Sequence, residues 1–365
     1  MGFTSEGLST RQATMRVAVL MGGQSGEHEV SLRSGAAVLE ALHTLGHPAF
    51  AVTLLRQGGA TTASPDGNTR GTSAAGLVAL EAWQPDCAFI AMHGPDGEDG
   101  RIQGALELLG IPYQGSGIQA SAIGLDKIRT KELLRAADLP IAAERVVHAS
   151  SPSGVATDWS ALAPELSGAL GLPLVLKTPT SGSSVGVEIV RTTEALAERG
   201  AALASEAGRV LVEQFVAGRE FTLPVVETCD GFAEAFPVVE IRPKAASFFD
   251  YEAKYTPGAT DEICPAPIEP ALESRLRALG VAAHLALGCS GYSRTDCIVA
   301  PDGRIVLLEV NTLPGLTRES LLPKSAAVAG LTFADLVQRL LDRALARAHL
   351  ADRAAPWRGE SGEKP

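Results

Sequence analysis

No apolar run in the chain reaches the ~18 residues that a membrane span requires. The N-terminal stretch MGFTSEGLSTRQATM is polar and lacks the apolar segment of a secretory signal; residues 1–14 are expected to form a disordered extension, with Met15 as an alternative start. Basic charge is in short supply: 31 Lys and Arg stand against 42 Asp and Glu, a net charge of −11. That balance argues against nucleic acid or an anionic membrane as a partner, since either demands a basic surface. The cysteines, Cys87, Cys229, Cys264, Cys289 and Cys297, form no CxxC pair, so neither a zinc knuckle nor a disulfide framework is expected, and reduced thiols fit a cytoplasmic setting. Two nucleotide signatures are missing as well. Without GxxxxGK[ST] there is no P-loop, and without GxGxxG a dinucleotide is not favoured.

What is present is a globular composition, 45% hydrophobic against 20% charged, over 365 residues, enough for two or three domains. RVAVLMGG (16–23) reads as a buried strand and SLRSGAAVLEALHTLG (31–46) as a helix. PDCAFIAMHG (85–94) and RIQGALELLG (101–110) repeat the alternation, which predicts a parallel α/β domain. The Gly, Ser, Thr and Asp-rich segment 56–76 reads as a surface loop. A helix near 126–137 opens a second region in which strands dominate, LPLVLKT, VGVEIV and RVLVEQFV, as in a small α+β domain. Further strands, helices near 270–287 and 332–349, and a frayed tail complete the chain.

The stretch SRTDCIVAPDGRIVLLEVN (293–311) carries the strongest chemical signal. Asp302-Gly303 between two apolar runs predicts a β-hairpin with a two-residue turn. That register sets Asp296 opposite Glu309 and Arg294 opposite Asn311, all on one face, with Thr295, Cys297 and Val299 against Val306, Leu308 and Val310 on the other. Directly opposed carboxylates repel, so something positive belongs between them. Asp296, Glu309 and Asn311 form a hard-oxygen set suited to Mg²⁺ shared with nucleotide phosphates. Two such ions bridged by Glu309 would remove the repulsion, with Arg294 aimed at an adjacent anion.

Other motifs fit around this platform. VLKTPTSGSSVGV (175–187) places Lys177 at a strand end before a loop of small residues whose N–H groups suit phosphate; a Gly/Ser turn alone is commonplace. GGQSGEHEVS (22–31) follows the first strand, where open α/β sheets bind ligands. Glu27, Glu29 or both would hold an ammonium there, or serve only as first-turn carboxylates. His93 ends a strand at the same sheet edge. SFFDYEAKYTPGATDEICPAP (247–267) is too polar for core and reads as a lid with Lys254 and Tyr255 as its chemical tools.

GGQSGEHEVS, HGPDGEDG, GSSVGV, DYEAKY and LLEVNTLPGLTRESLLP, in this order, make the chain from about 15 to 345 resemble the D-alanine–D-alanine ligases of the ATP-grasp superfamily. The resemblance implies an α/β and α+β, three-domain ATP-grasp fold: an N-terminal parallel α/β domain (15–115), a central subdomain (116–213), a C-terminal catalytic domain (214–350) and a flexible tail (351–365). It implies joining of two D-alanines for a peptidoglycan precursor, with ATP and two Mg²⁺ (or Mn²⁺), by a cytoplasmic homodimer. Carried over by residue, Lys127, Lys177 and Lys254 would meet ATP phosphates, Glu213 the adenine amino group and Glu220 the ribose. Asp296, Glu309 and Asn311 would hold the metals. Glu27 would take the first D-alanine's ammonium, with His93 near its carboxylate; Ser183 and Tyr255 would link to Glu27 and close the lid. Arg294 would stabilise the tetrahedral oxyanion, and Ser320 with the Leu321 backbone would bind the second carboxylate. Thr178 in KTP, SRTD and Gln214 depart from the common family pattern. The rival readings are ligation of D-alanine to D-lactate or D-serine, and a catalytically silent nucleotide-binding module; Tyr255, where D-lactate enzymes tend to carry His, argues against the lactate version.

Overall fold

A computed structural model describes residues 14–64, 67–180, 186–244 and 260–354. Strand β1 (Val17–Gly22) is buried along its whole length, lying between β2 (Ala49–Leu54) and β5 (Cys87–Ile90), both parallel to it. A strand covered on both faces needs an unbroken apolar run, which VAVLMG supplies. Helix α1 (His28–Leu45) makes the crossover from β1 to β2. Beyond β2 the sheet continues antiparallel through β3 (Ala60–Ser64) and β4 (Gly67–Gly71), giving the order β4-β3-β2-β1-β5. The expected surface loop over 56–76 is therefore corrected, and the N-terminal sheet is mixed rather than parallel throughout. Ala60 and Thr62 are buried while Thr61 and Ala63 are not; the two-residue period lies in burial and not in residue type, since Ala and Thr occupy both faces, so the composition read as loop. Helix α2 (Ser73–Trp83) folds back over β2 and β3.

Helices α3 (Arg101–Leu108), α4 (Ile118–Leu125) and α5 (Lys127–Ala136) lead into a four-stranded antiparallel sheet. Its strands β6 (Glu144–His148), β7 (Leu174–Lys177), β8 (Val187–Val190) and β9 (Arg209–Gln214) run in the order β6-β9-β7-β8. Helices α6 (Trp159–Leu170) and α7 (Thr193–Ala207) cover one face, and Trp159, Leu166, Leu176, Leu196 and Val212 form a core of their own.

A larger antiparallel sheet follows: β10 (Arg219–Glu227), β11 (Ala233–Ala235), β12 (Val239–Pro243), β13 (Thr260–Ile263), β14 (Tyr292–Val299) and β15 (Ile305–Asn311). The order is β13-β12-β10-β14-β15, with β11 paired to β10. Helix α8 (Pro270–Ala286) packs Leu276 and Ala283 against Phe221, Leu223, Cys297 and Leu307, leaving the opposite face for chemistry. After α9 (Leu321–Val328), helix α10 (Phe333–Ala354) inserts Leu336, Val337, Leu340 and Leu341 into the same core as Val19, Leu42 and Phe89. The first and last parts of the chain thus share one core, whereas the middle has its own. Among the described residues, no helix is long and apolar enough to cross a membrane.

The β14–β15 hairpin corrects the predicted turn while keeping its consequence. Gly303 N–H donates to the Ala300 carbonyl at 2.9 Å, and Ala300 pairs with Arg304, so the loop is the three residues Pro301-Asp302-Gly303. Pro301 presets a type I turn, and Gly303 takes φ +82°, the left-handed step that this loop requires. Near the turn Cys297 pairs with Leu307 and Val299 with Ile305, one residue off the predicted register. A β-bulge between Asp296 and Cys297 then leaves Leu308 unpaired and restores Asp296↔Glu309 and Arg294↔Asn311. Leu308 consequently leaves the apolar row to which it was assigned, and Leu307 enters the core.

Candidate active site

The site draws residues from all three sheets. On β14, Arg294 donates from Nε and Nη2 to the two carboxylate oxygens of Asp296, at 2.9 and 2.8 Å. Thr222, Asp296's cross-strand neighbour on β10, donates its hydroxyl at 2.6 Å. The charge foreseen between the carboxylates is thus supplied in part by protein: Arg294 on one side and Lys127, whose ammonium stands 4.0 Å from Glu309, on the other. Asn311 accepts from the Leu313 N–H through Oδ1 at 3.0 Å. Glu220 lies two residues before Thr222 on β10, hence on the same face.

Lys127 is the first residue of α5. Its helix is capped by Asp126, which accepts from the N–H groups of Ile128 and Arg129, and its own N–H bonds the Pro179 carbonyl. The chain that leaves β7 is therefore tied to the helix that carries Lys127. Thr178, one of the departures from the family pattern, closes the base of the loop that follows β7 by donating its N–H to Gly186 O at 3.1 Å. Lys177 ends β7 and pairs with Glu213 of β9, which also pairs with Lys131 of α5. Burial alone would raise the Glu213 pKa, but the two ammonium groups outweigh it and hold the carboxyl down at about 2. Burial likewise opposes charge on Lys177, and Glu213 and Glu309 overcome it, raising its pKa.

At the N-terminal sheet, β1 and β5 deliver their carboxyl ends to the same edge. Gly22 and Gly23 turn the chain there at φ +87° and +101°; a Cβ on Gly22 would sit 2.2 Å from the Leu54 carbonyl, so no side chain fits. Glu27 follows, its Oε2 lying 3.1 Å from where a Cβ on Gly94 would stand, which places the carboxylate beside the His93 loop. Glu29 instead points outward and pairs with Arg56 at 3.6 Å, so of the two candidates only Glu27 faces this edge. His93 is 5% exposed; its Nε2 meets Ser34 Oγ at 3.0 Å and its Nδ1 the Leu313 carbonyl at 3.1 Å. Burial disfavours the charged ring, but Glu98 at 3.8 Å and the charge of Glu27 prevail and raise its pKa. The Leu313 contact joins the N-terminal edge directly to the end of β15. Ser320 precedes α9 and bonds Thr317 through its hydroxyl, with Leu321 buried behind it.

Ser183, Lys254 and Tyr255 lie outside the described residues. Three groups escaped the sequence reading: Lys131, Thr222 and Glu98. Lys131 was legible in principle, since it stands four residues after Lys127 and shares its helix face, whereas Thr222 is recognisable only once β10 is paired with β14. Of the departures, Ser293 has a clear partner, binding His284 Nδ1 through its hydroxyl at 2.7 Å beneath the sheet.

Among the described residues no group of three or more His, Cys, Asp or Glu forms a metal centre. Asp296, Glu309 and Asn311 are nonetheless an all-oxygen set whose register opposes two carboxylates, which fits a hard divalent cation completing its shell with phosphate oxygens.

Known proteins resemble this chain over most of its length. The family profile described as D-ala D-ala ligase C-terminus matches residues 119–342, and the one described as D-ala D-ala ligase N-terminus matches residues 59–116. A D-alanine–D-alanine ligase from Anaeromyxobacter sp. is 44% identical over 333 residues, covering 91% of this chain and 98% of its own. The structure of the D-alanine-D-alanine ligase from Coxiella burnetii superposes with a TM-score of 0.77 at 25% identity, over 93% of this chain and 96% of that one. That of D-alanine–D-alanine ligase from Bacillus anthracis complexed with ATP gives 0.74 at 30% identity, over 93% and 100%. The chain belongs to the D-alanine–D-alanine ligase family and has its ATP-grasp fold.

Proposed function

We propose that this chain joins two D-alanine molecules into D-alanyl-D-alanine at the expense of ATP, through an acyl phosphate, as a step in making peptidoglycan precursors. The observation that carries this reading is the Asp296↔Glu309 pair on one sheet face, with Arg294 fixed beside it and Lys127 facing Glu309. A carboxylate is a poor acyl donor, so the first D-alanine must accept a phosphoryl group before an amine can attack it. Lys127 and Lys177, with Lys254 from the lid, offset the charge on the transferring group. Two Mg²⁺ or Mn²⁺ held by Asp296, Glu309 and Asn311 would supply the remaining positive charge.

Glu213 reads the adenine amino group and Glu220 the ribose. Glu27 holds the ammonium of the first D-alanine, with His93 beside its carboxylate, and Ser183 and Tyr255 are the groups we assign to closing the site. Ser320 and the Leu321 backbone hold the second carboxylate. Its neutral amine attacks the acyl carbon, Arg294 stabilises the tetrahedral oxyanion, and phosphate leaves as the peptide bond forms. Acyl phosphates hydrolyse readily, which is why the lid must exclude water first. The working units are residues 15–115, 116–213 and 214–350, and the enzyme acts as a cytoplasmic homodimer.

Mass-spectrometric product analysis after incubation with ATP, Mg²⁺ and D-alanine tests the reading, with D-lactate and D-serine as competitors. D-alanyl-D-alanine as the dominant product is expected. Phosphate release independent of any amino acid would overturn it in favour of a bare nucleotide hydrolase or a silent binding module.

A further inference from the structure

Glu213 carries two ammonium groups that are not equivalent. Its Oε1 meets Lys131 and its Oε2 meets Lys177. Lys131 is 0% exposed and is walled in: its Nζ also reaches the Leu307 carbonyl at 3.4 Å and stands 4.0 Å from Glu144, which Arg135 holds in turn. Lys177 sits at the strand end that leads into the phosphate loop, 11% exposed along its side chain and within the field of Glu309. One lysine is locked in place, and the other stands at the mouth of the site.

An ionised carboxylate is an acceptor only. It pairs with an N–H donor on a base edge and is repelled by a carbonyl. Resting on the reading that Glu213 meets the nucleobase, we propose that Lys131 is the positioning residue that sets nucleobase preference. It keeps Oε1 engaged and the carboxylate ionised, so that Oε2 can exchange the Lys177 ammonium for an exocyclic amino group while Lys177 turns to the phosphates. The pocket then favours 6-amino over 6-oxo purine triphosphates. Without Lys131, Lys177 becomes the sole counterion of Glu213, and nucleotide binding must break that pair. A carboxyl that gains a proton would also become able to donate to a 6-oxo group.

Initial rates with ATP and with GTP at saturating D-alanine test this on the wild type, Lys131→Met, Lys131→Arg and Glu213→Gln, each checked for folding by thermal unfolding. Lys131→Met should raise the ATP KM on the order of tenfold, change kcat by less than about threefold, and lower the ATP:GTP ratio of kcat/KM on the order of tenfold. Lys131→Arg should recover most of the preference. If Glu213→Gln loses the preference and a folded Lys131→Met keeps it, the role given to Lys131 is wrong and the nucleobase reading survives. If Glu213→Gln itself keeps it, the base is read elsewhere and both fall. Should Lys131→Met fail to fold, Lys131→Gln, which keeps most of the side chain's length without its charge, should lower the ATP:GTP ratio in the same direction; a wild-type ratio in a folded Lys131→Gln would overturn the proposal.

Discussion

Replacing Asp296 by Asn tests whether the carboxylate pair organises the site. Asp296 is 5% exposed and accepts from three donors: Arg294 Nε at 2.9 Å, Arg294 Nη2 at 2.8 Å and the Thr222 hydroxyl at 2.6 Å. Asn retains one acceptor oxygen, enough for Thr222 and Arg294 Nε, but turns an NH₂ group towards Arg294 Nη2. One charge-assisted bond, worth about 1.5–3 kcal/mol, is lost, and the guanidinium loses its counterion. Breaking a buried ion pair outright costs about 3–5 kcal/mol, while the 13% exposure of the Arg294 side chain lets water recover part of that. A net loss of about 2–3 kcal/mol follows, read as a lower urea midpoint by circular dichroism. The same variant should need at least about tenfold more Mg²⁺ for half-maximal turnover, because one of the oxygen ligands proposed for that ion would have lost its charge. The double variant Arg294→Leu/Asp296→Asn removes the stranded cation and should regain most of the stability with turnover abolished. An Asp296→Asn protein with an unchanged urea midpoint and an unchanged Mg²⁺ requirement would refute this account.

Two further expectations concern the frame around the site. Glu227 accepts from Arg343 Nε at 2.6 Å and the Gly291 N–H at 2.7 Å; burial raises its pKa, but His284, Arg343 and Gly291 outweigh it and hold it at about 2. Its folded pKa lies below the unfolded value, so its stabilisation is full above pH ~4.5 and fades as pH falls towards ~2. Wild-type stability should drop roughly 2 kcal/mol more than that of Glu227→Gln between about pH 5 and pH 3; equal urea-midpoint shifts would contradict this. Leu340, 0% exposed in the core shared by α10 and the N-terminal sheet, should cost about 2–5 kcal/mol on truncation to Ala. Hydrogen exchange should then quicken in β1, β5 and α10 together and not in β9; faster exchange confined to α10 would contradict the shared core.

Asp302-Gly303 marked the hairpin, and alternation marked its acidic face, so Asp296, Glu309, Arg294 and Asn311 were brought together on paper as they are in the fold. The agreement hides two compensating departures. Pro301 lengthened the turn by one residue, and the bulge at Leu308 returned the strands to register. A short apolar run such as IVLLEVN carries no mark of where an extra residue is tolerated, because Leu307 and Leu308 are interchangeable in type. The distinction comes from outside the hairpin: the Leu307 N–H bonds Pro140 and its carbonyl accepts from Lys131. At 56–76 composition misled in the opposite direction, since Thr and Ala pair along an edge as readily as they fill a loop.

Local chemistry is what the sequence determined by itself: which segments are strands or helices, which residues carry charge, and the order of motifs that places the chain in its family. Those depend on neighbours within a few residues. The tertiary structure alone decided which charges meet: Lys131 and Lys177 on Glu213, Thr222 on Asp296, and His93 on the Leu313 carbonyl. It also decided that the last helix completes the first domain's core. Such pairings depend on which distant strands lie side by side and on how helices and sheets stack around them, and the non-directional burial of apolar surface that drives this assembly records no partner in the sequence.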